Sequence, residues 1–182
     1  MNNQTLFRVG SIAAIVAAVL TIAFPILFFS GNDALVTAAT IIIGVLTLVI
    51  MLPLSLDLST ESQGVVVAAA LLLGGSTIWG FFLEPINVNP PIFGTSLLMA
   101  GLGFALYGWL QYRSSRYPSG MGFVILLNGL VHIIAAISMI SGIGAESLAS
   151  MAIPLITILQ LVWLIWLGRH YLRSRPEIFA AA

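Results

Sequence analysis

The chain has 182 residues, of which 60% are hydrophobic and only 7% are charged, and its formal net charge is zero. Because a soluble domain carries about 25% charged residues, this composition excludes a water-soluble monomer. The sequence contains no cysteine, which excludes disulfides and thiolate chemistry.

Six apolar runs, separated by short polar turns, account for most of the chain. They cover residues 9–29, 35–54, 65–83, 92–110, 121–140 and 148–167. Each run is about 20 residues long, which at 1.5 Å per residue crosses a hydrocarbon core of roughly 30 Å. We therefore predict an all-α fold, a polytopic membrane bundle of six transmembrane helices that forms a single domain over residues 1–182.

The basic residues predict the orientation of this bundle. All of them are arginines that fall on one side of a six-span arrangement, namely Arg8, Arg113, Arg116, Arg169, Arg173 and Arg175. Cytoplasmic loops carry an excess of basic residues, so both termini are expected to be cytoplasmic. The same arginines are expected to contact anionic lipid headgroups.

Other polar and aromatic residues cluster at the ends of the spans. Asp57 and Glu84 lie at span ends, where water or headgroups can solvate them, and no permanently charged residue lies deeper. This pattern argues against an ion-coupled pump or a voltage sensor, which usually need charges inside the membrane. Six aromatic residues near the inner ends are expected in the headgroup zone: Trp109, Trp163, Trp166, Tyr107, Tyr112 and Tyr171.

A small set of uncharged polar residues lies inside the spans. The candidates for a site are Thr77, Asn128, His132, Thr157 and Gln160. Asn128 and His132 are four residues apart and so share one face of the fifth helix. One interpretation is that all five residues form hydrogen bonds between helices. The other is that they line a polar pocket between the third, fifth and sixth helices.

Cofactor and catalytic chemistry find little support in the sequence. His132 could ligate a pigment or haem through a single axial bond, but His170 lies about 18 Å away along the membrane normal. Two histidines without cysteine argue against an ordinary zinc site. The Gly74-Gly75-Ser76 segment does not match a nucleophile elbow. We nominate no catalytic residue, no metal site and no resident cofactor, although an intramembrane enzyme remains open.

Small residues and prolines predict how the helices pack. Glycine and alanine recur at four-residue spacing, as at Gly101 and Ala105, and such positions allow helices to approach closely in membranes. Pro25 and Pro154 predict kinks in the first and sixth spans. Glycines 10, 64 and 120 begin the odd-numbered spans at similar spacing, which either marks a repeated hairpin or follows from any regular six-span chain.

The fourth to sixth spans carry a resemblance. The segment FALYGWL at 104–110, the following Tyr112 and Arg113, then Gly129 and His132, and the segment WLIWLG at 163–168 resemble a group of small six-span bacterial membrane proteins of unknown function. The resemblance implies a multi-pass protein of a prokaryotic inner membrane and implies no activity.

These observations leave two classes of function. The first is a non-enzymatic accessory or structural subunit, or a helix bundle that associates with itself. The second is a carrier or channel for a small neutral or lipophilic molecule. The expected partners are membrane lipids and other membrane subunits or a second copy of the chain, whereas nucleic acid as a partner has no support in the sequence.

Overall fold

A computed structural model describes residues 3–29, 31–83, 90–142 and 145–174, and this part of the chain is helical with short turns. The helices are α1 (Asn3–Phe29), α2 (Asp33–Leu58), α3 (Gln63–Thr77), α4 (Pro90–Arg113), α5 (Ser119–Ser141) and α6 (Ala145–Ser174). All six are long and apolar enough to cross a membrane. The six-helix all-α prediction is therefore confirmed.

The helices extend beyond the apolar runs that predict them, because a helical backbone continues into polar flanking sequence. The largest extensions are at the beginning of α1 and at the end of α6. Local signals set other ends. The Asn32 side chain accepts a hydrogen bond of 3.2 Å from the Leu35 amide and so caps α2. Gly142 ends α5 with a positive φ of 71°, a conformation that glycine adopts without steric cost.

The helices form a closed ring in chain order. Each one packs against its neighbours in sequence, and α1 packs against α6 to close the ring. The closing contact includes a hydrogen bond of 2.9 Å from the Ser11 hydroxyl to the Gly168 carbonyl. The interior of the ring is filled by a cluster of side chains from all six helices, including Ala14, Leu54 and Leu167. This arrangement places α4 between α3 and α5.

The tightest helix pair is α4 with α5, which share a seam of small residues at seven-residue spacing. The α4–α5 seam consists of Gly94, Gly101 and Gly108 on α4 and of Gly122, Gly129 and Ala136 on α5. A Cβ atom on Gly101 would lie 2.9 Å from the Gly129 carbonyl oxygen. A Cβ atom on Gly108 would overlap the Leu126 backbone. The two backbones are thus in direct contact, as small residues permit in membrane helices.

The end of α3 widens into a π-helical turn, Ile78–Leu83, which the apolar run did not predict. The hydroxyls of Ser76 and Thr77 both donate to the Leu73 carbonyl, at 3.0 Å and 2.7 Å. The Ser96 hydroxyl of α4 donates to the Ser76 carbonyl at 3.2 Å. Hydroxyls that bond backbone carbonyls compete with the regular backbone hydrogen bonds of a helix. A side chain that inserts between these hydrogen bonds distorts the helix.

Pro53 packs against a glycine of the neighbouring helix. Pro53 lies inside α2, and its ring occupies the space beside Gly10 of α1, where a Cβ atom would overlap it. The sequence predicts kinks at Pro25 and Pro154 instead. Pro154 lies inside α6, whereas the side chain of Pro25 lies outside the described residues. The four-residue spacing of Gly10, Ala14 and Ala18 predicts that Gly10 lies at a helix contact, and the structure identifies Pro53 as its partner there.

The outer surface of the ring is apolar. In each candidate span only 28% to 44% of the residues are buried inside the protein. Large aliphatic side chains such as Ile26, Leu71 and Met151 are among the most exposed residues. An apolar surface that surrounds a polytopic bundle matches a hydrocarbon solvent.

Candidate functional site

Asn128 and His132, the central residues of the predicted polar site, lie together on the buried face of α5. The Nδ1 atom of His132 lies 2.8 Å from the Asn128 carbonyl oxygen, one turn earlier in the same helix. The His132 ring packs against Phe104 of α4, with 5.3 Å between ring centroids. A haem ligated by His132 would have to displace side chains that now pack around this ring. The haem hypothesis itself stays a prediction.

The other predicted residues do not join this pair through hydrogen bonds in the described part of the chain. Thr77 is buried on α3 and bonds the carbonyl of Leu73, and α3 packs beside α2 and α4. The Thr157 hydroxyl donates to the Ile153 carbonyl of its own helix at 2.8 Å. Gln160 lines a cavity of about 10 Å³, roughly the space for one water molecule.

A buried amide on α4 was missed by the sequence analysis. Gln111 is fully buried, and its Oε1 atom accepts a hydrogen bond of 3.1 Å from the Trp163 indole of α6. In the described part of the chain, the Gln111 Nε2 atom and both side-chain polar atoms of Asn128 are buried and have no hydrogen-bond partner. Each unsatisfied buried group costs about 1–3 kcal/mol. Within the described residues, Asn128 thus combines full burial with two side-chain polar atoms that no hydrogen bond satisfies.

The arginines form the second candidate region. Arg8 lies in the second turn of α1, Arg113 ends α4 and Arg169 lies near the end of α6, all at one end of the bundle. Arg116 and Arg173 lie at the same end, and these five side chains are exposed. Arg175 lies outside the described residues, as does Glu84. We call this region the arginine end.

Asp57 lies at the arginine end, but it is not open to water as its place at a span end had suggested. Its side chain is 5% exposed, whereas that of Arg116 is 44% exposed. The Arg116 Nη1 atom donates to the Asp57 Oδ1 atom at 3.2 Å and to the Asp57 backbone carbonyl at 2.9 Å. The Tyr117 hydroxyl donates to Asp57 Oδ2 at 2.7 Å. The carboxylate thereby ties α2 to the turn between α4 and α5.

Tyr117 extends this network to the last helix. Its hydroxyl lies 3.1 Å from that of Tyr171, and its ring packs against His170 with 4.8 Å between centroids. Burial, with added contributions from Tyr171 and Asp57, raises the pKa of Tyr117 well above its usual value. The hydroxyl thus stays protonated at neutral pH, which keeps it a hydrogen-bond donor to Asp57.

Half of the six aromatic residues expected in the headgroup zone are buried against other parts of the protein. Tyr107, Tyr171 and Trp163 pack in the core, whereas Trp109, Tyr112 and Trp166 are exposed. Tyr107 and Ser55 share a hydrogen bond of 2.6 Å. A tyrosine or tryptophan can be buried when its polar atom finds a partner, and sequence alone gave no sign of these partners.

A cleft of about 220 Å³ opens beside this network, between the end of α4 and the turn that precedes α3. Its lining residues are Glu61, Ser62, Trp109, Leu110 and Arg113. The Arg113 guanidinium lies over the Trp109 ring, 4.9 Å from its centroid. The Ser114 hydroxyl donates to Glu61 Oε1 at 2.8 Å.

Comparisons of the chain with known protein families, with curated proteins and with solved structures find no match. The resemblance to small six-span bacterial membrane proteins therefore stays a prediction. Within the described residues, no group of three histidine, aspartate or glutamate side chains could hold a metal ion.

Proposed function

We propose that this protein is a non-enzymatic membrane protein, a closed helix bundle that serves as an accessory or structural subunit or associates with itself. The observation that carries the proposal is the packed interior of the ring, where buried side chains from all six helices form one cluster. A carrier needs room for a solute, and ligand pockets measure about 300–1,000 Å³. The contacts that remain for function are then on the outer surface.

The hydroxyls inside the spans support the same proposal. Those of Thr40, Thr47 and Thr77 each donate to a carbonyl of their own helix, at 2.8 Å, 2.9 Å and 2.7 Å. A hydroxyl that bonds its own backbone presents little polar surface to a passing solute. The spans thus expose few polar groups along the inside of the ring.

A lipid-contacting role for the arginines forms part of the proposal. Exposed arginines at one end of an apolar bundle would meet lipid phosphates, and each such arginine contributes about 1 kcal/mol near an anionic surface. We infer further that the arginine end faces the cytoplasm of a prokaryotic cell, with both termini on that side. The turn between α2 and α3 and the turn between α4 and α5 would then face cytoplasmic or membrane partners.

The second candidate is a carrier or binding protein for a small neutral molecule, and Asn128 is the observation in its favour. A fully buried amide with no partner costs stability, and a ligand amide or hydroxyl could satisfy it. Asn128→Leu distinguishes the two candidates. In a purely structural bundle, removal of the unsatisfied group leaves thermal stability equal or raises it. In a carrier, the same substitution also removes the bound small molecule.

Native mass spectrometry of the gently extracted protein tests the proposal. We expect the chain in heavier species, with another polypeptide or with further copies of itself. A bare monomer with a reproducible small adduct that disappears in Asn128→Leu would instead support the carrier. Thr40→Val is the matched control, because Thr40 is also buried and polar but bonds its own helix. It should leave the spectrum unchanged in both cases.

A further inference from the structure

The cleft at the arginine end has walls of opposite charge that do not neutralise each other. Arg113 and Glu61 both line the cleft. Among the described residues these two side chains do not form an ion pair, so their charged nitrogen and oxygen atoms are more than 4.0 Å apart. Opposite charges held apart across a cleft suit a ligand that itself carries both signs.

The positive wall is fixed in place. The Trp109 ring holds the Arg113 guanidinium against its face at 4.9 Å. A guanidinium that lies over an aromatic ring still has N–H groups for hydrogen bonds, and its fork matches the oxygens of a phosphate. Tryptophan at this position also suits the interface between hydrocarbon and headgroups.

The negative wall is fixed as well. Ser114 is buried and its hydroxyl holds the Oε1 atom of Glu61 at 2.8 Å. Among the described residues, no hydrogen bond engages the Oε2 atom, which therefore remains for a donor from a ligand. A primary ammonium offers three N–H donors to such an oxygen, whereas a quaternary ammonium offers none.

We propose that this cleft binds the headgroup of phosphatidylethanolamine, with the phosphate on Arg113 and the primary ammonium on Glu61. The cleft lies where α4 ends, at the level where a membrane-spanning bundle meets headgroups. Its volume of about 220 Å³ accommodates a small polar headgroup but not a large ligand. Glu61 disfavours a purely anionic headgroup, so the site selects by repulsion as well as by attraction.

Native mass spectrometry with defined lipids tests this site on the full-length protein. Phosphatidylethanolamine, phosphatidylcholine and phosphatidylglycerol with identical acyl chains are titrated against the wild type and the variants Glu61→Gln and Arg113→Gln. The matched control is Arg169→Gln, because Arg169 is exposed at the same end and does not line the cleft. The thermal unfolding midpoint of each variant is measured alongside to show that it is folded. Glu61 lies in the turn before α3 and Arg113 at the end of α4, so the two cleft variants change separate elements.

The wild type is expected to bind phosphatidylethanolamine about tenfold more tightly than the other two lipids, which corresponds to one charge-assisted hydrogen bond. Glu61→Gln should abolish this preference without weakening phosphatidylglycerol, and Arg113→Gln should weaken all three lipids. Equal affinities of the wild type for all three lipids, or an equal loss in Arg169→Gln, would overturn the proposal. Displacement of the lipid by an equimolar concentration of soluble glycerophosphoethanolamine would reassign the cleft to a soluble ligand.

Discussion

The carboxylate of Asp57 joins three separate parts of the chain at the arginine end. Through Arg116 and Tyr117 it connects α2 to the turn between α4 and α5, and through Tyr117 the network reaches Tyr171 on α6. Arg116 is 44% exposed, so solvent screens its charge and the ion pair alone contributes little. The buried hydrogen bond from Tyr117 is therefore the more important contact for Asp57.

Removal of that hydroxyl should destabilise the bundle. We expect Tyr117→Phe to cost about 1–3 kcal/mol, because it removes a buried hydrogen bond to a charged carboxylate. In thermal unfolding this corresponds to a loss of several degrees, at about 2–4 °C per kcal/mol. Tyr112→Phe is the control, since Tyr112 is 56% exposed and should leave the midpoint unchanged. Equal midpoints for the two variants would show that the hydrogen bond to Asp57 contributes nothing.

At this scale the sequence predicts contacts within a helix better than contacts between helices. Asn128 and His132 share a face because they are four residues apart, and the structure places them together. The partners of Asp57 lie 59 and 60 residues away along the chain, a separation that no helical period can reveal. Their meeting depends on the order of the helices in the ring.

Among the elements, the α4–α5 seam shows how glycine sets the distance between two helices. Lipid offers no hydrophobic force between helices, so close packing of backbones has to hold them together. The glycines cost helix propensity, about 1 kcal/mol each relative to alanine. This cost is offset only at positions where the Cβ atom of an alanine would collide with the neighbouring helix, because glycine there permits close packing. The seam therefore predicts opposite effects for glycine substitutions inside and outside it.

We expect Gly108→Ala to lower the stability of the bundle and Gly64→Ala to leave it equal or raise it. A Cβ atom on Gly108 overlaps the Leu126 backbone, whereas one on Gly64 of α3 meets nothing within 4 Å. Overpacking should cost Gly108→Ala about 1–3 kcal/mol. Gly64→Ala should be neutral or gain up to about 1 kcal/mol from helix propensity. Thermal unfolding in one detergent compares them, and a midpoint for Gly108→Ala at or above that of the wild type would contradict the close contact.

The helices themselves could be predicted because run length and apolarity suffice to identify a membrane span. Departures from a regular helix could not. The π-helical turn Ile78–Leu83 follows hydroxyl groups that bond backbone carbonyls, and one of these contacts comes from Ser96 on another helix. Such a turn depends on tertiary packing and not on the composition of the segment.

Taken as a whole, the molecule has a packed ring, an apolar outer surface and an end that collects its arginines. The polar network of Asp57 and the cleft of Arg113 lie at this one end. If the six helices cross a bilayer, both features lie at the headgroups of a single leaflet. The asymmetry of charge then also determines which leaflet supplies the lipid, so the orientation of the bundle and the proposed lipid site are linked.

The orientation can be measured directly because the sequence contains no cysteine. Ala34 is exposed at the beginning of α2, and Ser115 is exposed in the turn at the arginine end. Ala34 is preferable to Gly31, whose positive φ of 68° would strain a cysteine. In intact cells an impermeant maleimide should label Ala34→Cys and leave Ser115→Cys unlabelled, because basic turns remain cytoplasmic. Permeabilised cells should label both variants, which controls for reactivity. Labelling of Ser115→Cys alone in intact cells would place the arginine end outside, and the headgroup cleft would then have to draw its lipid from the outer leaflet.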